Sequence, residues 1–163
     1  AELTSGPIVP VGSSMGGWQA LLLARAQPER VAGLVTIAAA PDFTEDGYWA
    51  SFSDAQKQLL KDVGQVELPS DYMEPYVITK RMIEDGRQQL VLRNPLSLPF
   101  PVRFLQGTDD TAVSVATSVK LLEHAIGPDM QLRLVKGADH RFSDGPCLGL
   151  ILKSLDEVLT ASN

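Results

Sequence analysis

Ser14 lies in Gly12-Ser13-Ser14-Met15-Gly16, directly behind the apolar run Pro7-Ile8-Val9-Pro10-Val11 and directly ahead of a helical pattern. A tight turn from strand to helix holds the middle serine of such a G-x-S-x-G segment on strained backbone, with its hydroxyl clear of the sheet. That is the geometry of a serine nucleophile. The glycines at 12 and 16 are expected because a Cβ at either position would meet the neighbouring strand or helix. A hydroxyl is a poor nucleophile until a base takes its proton, and the base needs an acid to orient it.

The chain has 2 histidines. His124 falls inside a helical pattern, Val115–Ile126, and reads as a surface or packing residue. His140 lies in Gly137-Ala138-Asp139-His140-Arg141-Phe142, just past an apolar strand, where open α/β sheets place their sites. It is the candidate base. For the acid, the loop Gln106–Val113 offers Asp109 and Asp110, either of which could serve as a turn residue instead. Asp42, at the end of an earlier strand, is a third candidate whose other role is capping a helix. Asp139 adjoins His140, but neighbours on an extended chain point apart. The backbone N–H of Met15, at the start of the helix behind Ser14, is the candidate oxyanion donor, because helix N-termini carry unpaired amides and favour negative charge. A second donor normally comes from a loop earlier in the chain, and nothing ahead of the first strand supplies one.

Four apolar runs supply the strands that position these groups. They are 7–13, Val31–Ala39, Val102–Leu105 and Leu132–Val135. Continuous apolar runs without alternation belong to a parallel sheet covered on both faces. Helices are expected over Met15–Ala26, Val115–Ile126 and Leu148–Thr160, the last with Leu150, Leu152, Leu155 and Val158 turned inward. The order is β-α-β-(helices)-β-α-β-α, an α/β architecture. Between Pro41 and Pro99 the texture changes to aromatics mixed with charged helix-forming stretches, Asp54–Val63 and Tyr76–Asp85, with no convincing strand. This gives a core of 1–40 and 100–163 interrupted by a helical insertion, 41–99, together one domain.

At 163 residues, 44% hydrophobic and 21% charged, the chain reads as globular. A net charge of −6 without a dense Lys/Arg cluster argues against nucleic-acid or anionic-membrane partners. No apolar stretch is long enough to span a membrane. Dispersed histidines and a single cysteine, Cys147, form no metal-ligand set, and the glycines near Ser14 lack the order of dinucleotide-binding loops, so no cofactor is implied. One cysteine excludes an internal disulfide and fits a reducing compartment, the cytoplasm or an organellar matrix.

These residues resemble the α/β-hydrolase superfamily. The resemblance rests on the nucleophile elbow Gly12-Ser13-Ser14-Met15-Gly16-Gly17-Trp18, the acid loop Gly107-x-x-Asp110-x-x-Val113 and the histidine loop ending Gly137-Ala138-Asp139-His140. The order Ser14, Asp110, His140 is the superfamily's, and its spacing from glycine to acid to valine selects Asp110 over Asp109. The wording Ser-Met-Gly-Gly-Trp and the length of the insertion are similar to the esterase and acyl-thioesterase branch, including mitochondrial palmitoyl-protein thioesterase-like proteins. The resemblance implies a sheet equivalent to strands five to eight of that fold and a serine hydrolase acting on a small-molecule ester or thioester. It also implies a helical cap whose aromatic and apolar residues, Phe43, Tyr48, Trp49, Phe52, Tyr72 and Met73, shape an acyl pocket. It implies further strands ahead of Ala1, or a second chain, completing the sheet beside 7–13. Without them the chain would be inactive, or would serve as a non-catalytic binding or assembly module built on an exposed sheet edge.

Overall fold

The computed structural model describes residues 5–69 and 74–161, which divide into two compact units. One unit comprises the residues up to Pro41 and from Val91 onward, and the other Asp42–Leu90. The second is shorter than the expected insertion of 41–99. Leu96 and Leu98 are fully buried, and Leu96–Ser97 pairs with Ala125–Ile126, so the residues after Val91 belong with the first unit.

In the first unit, strands β1 (Val11–Ser13), β2 (Leu34–Ile37), β6 (Val102–Gly107) and β8 (Met130–Val135) form a 4-stranded sheet in the order β1-β2-β6-β8, every pairing parallel. The apolar runs at 7–13 and 31–39 yield strands shorter than themselves. Their outer parts meet only through an Ile8–Val31 bridge. All residues of β2 and β6 are buried, as continuous apolar runs require. Helices α1 (Met15–Ala26), α4 (Val115–His124) and α5 (Gly145–Ala161) flank the sheet. Two short strands, β5 (Leu96–Ser97) and β7 (Ala125–Ile126), pair beside it. The helix expected to reach Ile126 therefore stops at His124, and its last apolar residues become β7.

α5 begins with Pro146 at its second position, and the N–H of Cys147 donates to Asp144 Oδ1 at 2.7 Å, a side-chain N-cap. Leu150, Ile151, Leu155 and Val158 pack on Val35, Ile37 and Leu105. Leu152, expected inward, is 67% exposed, because the buried stripe runs through Cys147, Ser154 and Val158 instead. Arg103, at the start of β6, is 4% exposed yet fully paired, with Asp129 at 2.9 Å and Glu157 at 3.1 Å. Glu157 also pairs with Arg133, so this network ties α5 to β6 and β8.

The second unit contains a π-helical turn (Phe43–Trp49), α2 (Asp54–Val63), strands β3 (Gln65–Leu68) and β4 (Tyr76–Thr79), and α3 (Lys80–Arg87). β3 and β4 form an antiparallel pair, which overturns the expectation of a strandless, all-helical insertion. The helix expected over Tyr76–Asp85 is in fact a strand followed by a helix. β-branched residues dominate Tyr76-Val77-Ile78-Thr79, and Thr79 then caps α3 by accepting the N–H of Met82 at 3.1 Å. α2 matches its expected bounds. Ser53 and Gln56 form a reciprocal capping box at its start, and Gly64 ends it at φ 87°. Phe52, Leu60, Val66, Ile78 and Ile83 make up this unit's core.

Candidate active site

β1 delivers Ser14 into a turn with φ 55° and ψ −120°, a positive-φ conformation that non-glycine residues adopt only where the surroundings enforce it. The enforcement is visible in the backbone. The N–H of Ser14 donates to Ile37 O at 2.9 Å, and its carbonyl accepts from Gly17, Trp18 and Ala40. A Cβ at Gly12 would lie 2.2 Å from Gly16 O, so only glycine lets α1 leave the strand this sharply. The second expected collision belongs to a different residue. Gly16 has open space around it, whereas a Cβ on Gly17 would lie 2.7 Å from Ala39 Cβ, on the chain beyond β2. The side chain of Ser14 makes no cap bond to its own helix, which leaves the hydroxyl for another partner.

That partner is His140. Ser14 Oγ lies 3.0 Å from His140 Nε2, and His140 Nδ1 lies 2.9 Å from Asp110 Oδ2. Three loops at the carboxyl ends of β1, β6 and β8 thus bring these side chains into one row. An ionised carboxylate only accepts, so Nδ1 carries the ring proton and donates it to Asp110. Nε2 of the neutral ring then accepts from the serine hydroxyl. The side chain of Asp110 is wholly screened from solvent. Burial alone would raise its pKa. It is lowered nonetheless, because the N–H groups of Val113 and Ala112 donate to Oδ1, each at 2.8 Å, while His140 and Gln106 donate to Oδ2.

The alternatives to Asp110 have other roles. Asp109 accepts from Thr108 Oγ1, and its N–H donates to Ala138 O, which ties the acid loop to the histidine loop. Asp42 is fully buried at φ 57°. It starts the π-helical turn through its carbonyl rather than through the side-chain cap expected of it. Asp139 does not touch the ring. Its Oδ1 accepts from Arg141 N and Phe142 N, fastening the turn that presents His140, and Phe142 is held at φ 52° with its ring buried. His124 Nε2 donates to Asn94 O at 2.8 Å, a packing role.

Met15 is half exposed at the first position of α1, where its N–H has no acceptor within the helix. The aromatics expected to shape a pocket lie in the second unit and part company there. Phe43 and Tyr48 meet edge to face with centroids 5.5 Å apart. Trp49 instead lines a cleft of about 210 Å³ with Leu60, Ile83 and Lys61, and the Arg87 guanidinium lies 4.4 Å from its ring centre. Tyr72 and Met73 lie outside the described residues. Among the described residues no group of His, Cys, Asp and Glu is placed to hold a metal ion, and no helix is long and apolar enough to cross a membrane.

No family model matches the chain. The mitochondrial palmitoyl-protein thioesterase ABHD10 of Rattus norvegicus is 31% identical over 163 residues, covering 97% of this chain and 54% of the rat protein. Its Homo sapiens counterpart is 30% identical over 163 residues, covering 97% and 52%. The chain thus spans about half the length of the curated relatives it matches. Among solved structures, a putative hydrolase from Agrobacterium vitis S4 superposes with a TM-score of 0.87 at 35% identity, over 92% of this chain and 60% of that one. Alpha/beta hydrolase domain-containing protein 10 from mouse gives 0.86 at 28% identity, over 98% and 64%. The chain belongs to the α/β-hydrolase superfamily. More distant hydrolases agree in fold alone. The Paleococcus ferrophilus monoacylglycerol lipase, at 19% identity, superposes with a TM-score of 0.64.

Two polar residues of this α/β-hydrolase's site had escaped the sequence reading. Gln106 and Ser118 are buried, at 0% and 3% exposure, and both bond within the acid loop's surroundings. The available signal was a polar side chain closing the apolar run Val102–Leu105 just before Gly107.

Proposed function

We propose that this α/β-hydrolase cleaves a carboxylic ester or thioester through an acyl-enzyme on Ser14. The observation that carries the reading is the unbroken row from Ser14 Oγ through the imidazole of His140 to Asp110, with gaps of 3.0 and 2.9 Å. In the first step Ser14 Oγ forms a bond to the acyl carbon while His140 Nε2 takes the hydroxyl proton. The carbonyl electron pair moves onto oxygen, where the Met15 N–H donates to the developing charge. Asp110 stays ionised and stabilises the imidazolium. Collapse breaks the bond to the alcohol or thiol, which leaves with the proton from Nε2. Water then repeats the sequence. Nε2 takes its proton, the oxygen attacks the acyl carbon, and the carboxylic acid departs as Ser14 recovers its proton.

The relatives named palmitoyl-protein thioesterases support an acyl thioester as the substrate class, and their mitochondrial naming supports an organellar location over the cytoplasm. On this reading the unit Asp42–Leu90, rather than the whole of 41–99, is the cap that the resemblance implies, and Phe43, Tyr48 and Trp49 are its candidate acyl-binding residues. The rival reading, a non-catalytic binding or assembly module, draws on β1, an edge strand whose Val11 is 48% exposed.

A fluorophosphonate probe decides between them in the intact protein. Labelling is expected at Ser14, is expected to vanish in Ser14→Ala, and is expected to fall by on the order of 10³-fold or more in His140→Ala. A folded protein left unlabelled at Ser14 overturns the hydrolase reading in favour of the module.

A further inference from the structure

Behind Asp110 the hydrogen-bonded row continues. Gln106 is the last side chain of β6 before the acid loop and is fully buried. Its Nε2 lies 2.9 Å from Asp110 Oδ2, 3.1 Å from Gly107 O and 3.1 Å from Val113 O. Its Oε1 accepts from Ser118 Oγ at 2.8 Å, and Ser118 is itself buried in α4. One end of the amide therefore faces acceptors only and the other end faces a hydroxyl. Turning the amide over would set its oxygen against three oxygens and remove the amide donor from each, so its orientation is decided by its surroundings.

We propose that Gln106, locked by Ser118, is a positioning residue that holds Asp110 in register with His140. This rests on the hydrolase reading above. The amide and the imidazole share a single carboxylate oxygen, Oδ2, while the backbone of Ala112 and Val113 occupies Oδ1. With every approach to the carboxylate taken, rotation about its Cβ–Cγ bond would break hydrogen bonds on both oxygens at once. The Nδ1 proton of His140 is left with one fixed acceptor. Gln106 also spans the loop. By donating to Gly107 O and Val113 O, it clamps the two ends of the segment that carries Asp110. The chain of contacts thus runs from Ser118 on α4 to Ser14 on the first turn of the sheet.

The test uses the intact protein and compares Gln106→Met, Gln106→Glu and Ser118→Ala, with thermal unfolding run alongside. The second-order constant for labelling of Ser14 is followed across pH, together with the downfield NMR resonance of the proton between His140 and Asp110. Gln106→Met, similar in volume without donor or acceptor, is expected to slow labelling about tenfold and to move that resonance. Gln106→Glu provides the readout that mere packing loss would not. When protonated, Glu at 106 can again donate to Asp110, and when ionised it repels it. Its deficit is therefore expected to grow as pH rises and to shrink on acidification. Ser118→Ala frees one end of the amide and is expected to move the resonance with a smaller loss of rate. Folded Gln106 variants that label at the wild-type rate at every pH overturn this inference and leave the triad reading standing. Absence of labelling in wild type overturns both. Should the Gln106 variants fail to fold, an unmoved resonance and unchanged rate in Ser118→Ala overturn the inference alone.

Discussion

In the unit that carries Ser14, Asp110 and His140, β2 and β6 are buried along their whole length, and the loop after β6 is held by buried polar side chains. In the unit Asp42–Leu90, by contrast, β3 and β4 each bury a single residue, Val66 and Ile78, and the helices are made by caps and exposed i,i+4 pairs such as Lys80–Glu84 and Arg81–Asp85. Such exposed pairs contribute well under 1 kcal/mol each. The first unit's order comes from contacts distant in the chain, such as the 126-residue separation between Ser14 and His140. The second unit's order comes largely from neighbours. A site that needs ångström positioning belongs on the former.

The largest effect that would sharpen this contrast is chemical. Asp110→Asn keeps the shape of the side chain but lets it donate to the ring, favouring the wrong tautomer. Turnover is expected to fall by on the order of 10³–10⁴-fold with the fold retained, as read by esterase kinetics and circular dichroism. A drop of only a few-fold would show that the row does not work as a unit.

Next in size are core truncations. Leu105→Ala and Leu60→Ala each remove a side chain no more than 2% exposed, and each is expected to cost about 2–5 kcal/mol in its own unit. Native-state hydrogen exchange distinguishes them. Leu105→Ala should speed exchange throughout β2, β6 and β8, whereas Leu60→Ala should speed it within α2, β3, β4 and α3. Uniform acceleration in both variants would break the division into two units.

The smallest effect is electrostatic. Asp110, Asp129 and Glu157 have folded pKa values held below their ordinary ones, through backbone and His140 donors for the first and arginine partners for the others. A depressed carboxylate pKa contributes stability that is complete above the unfolded value, about 4, and is lost as pH falls through the lower folded value. The first unit is therefore expected to lose stability below about pH 4, and Asp110→Asn to flatten that slope in acid unfolding curves. An unchanged slope would mean that Asp110 gains nothing from its donors.

Much of the first unit was legible because its signals are continuous. A buried parallel strand is an apolar run, and G-x-S-x-G between a strand and a helix has one mechanical use. Ser14 and His140 could be named in that way, whereas Asp110 was chosen over Asp109 only by the family resemblance. The second unit was harder to read, since Val66-Glu67-Leu68 and Tyr76-Val77-Ile78-Thr79 are too short to separate from helix by periodicity. Leu152 was misplaced for a related reason, a stripe displaced by one residue on the helix. Gln106 and Ser118 gave no sign of their partnership, since a buried polar pair twelve residues apart has no pattern of its own.

From sequence alone come the kinds of groups present, their order along the chain and the sheet that must carry them, because strand and helix periodicities are local properties. The tertiary structure decided which glycine makes room at the elbow, that the ring is held by Asp110, and which buried amide holds the acid. These depend on distances between residues far apart in the chain, set only when the strands pair and the helices pack.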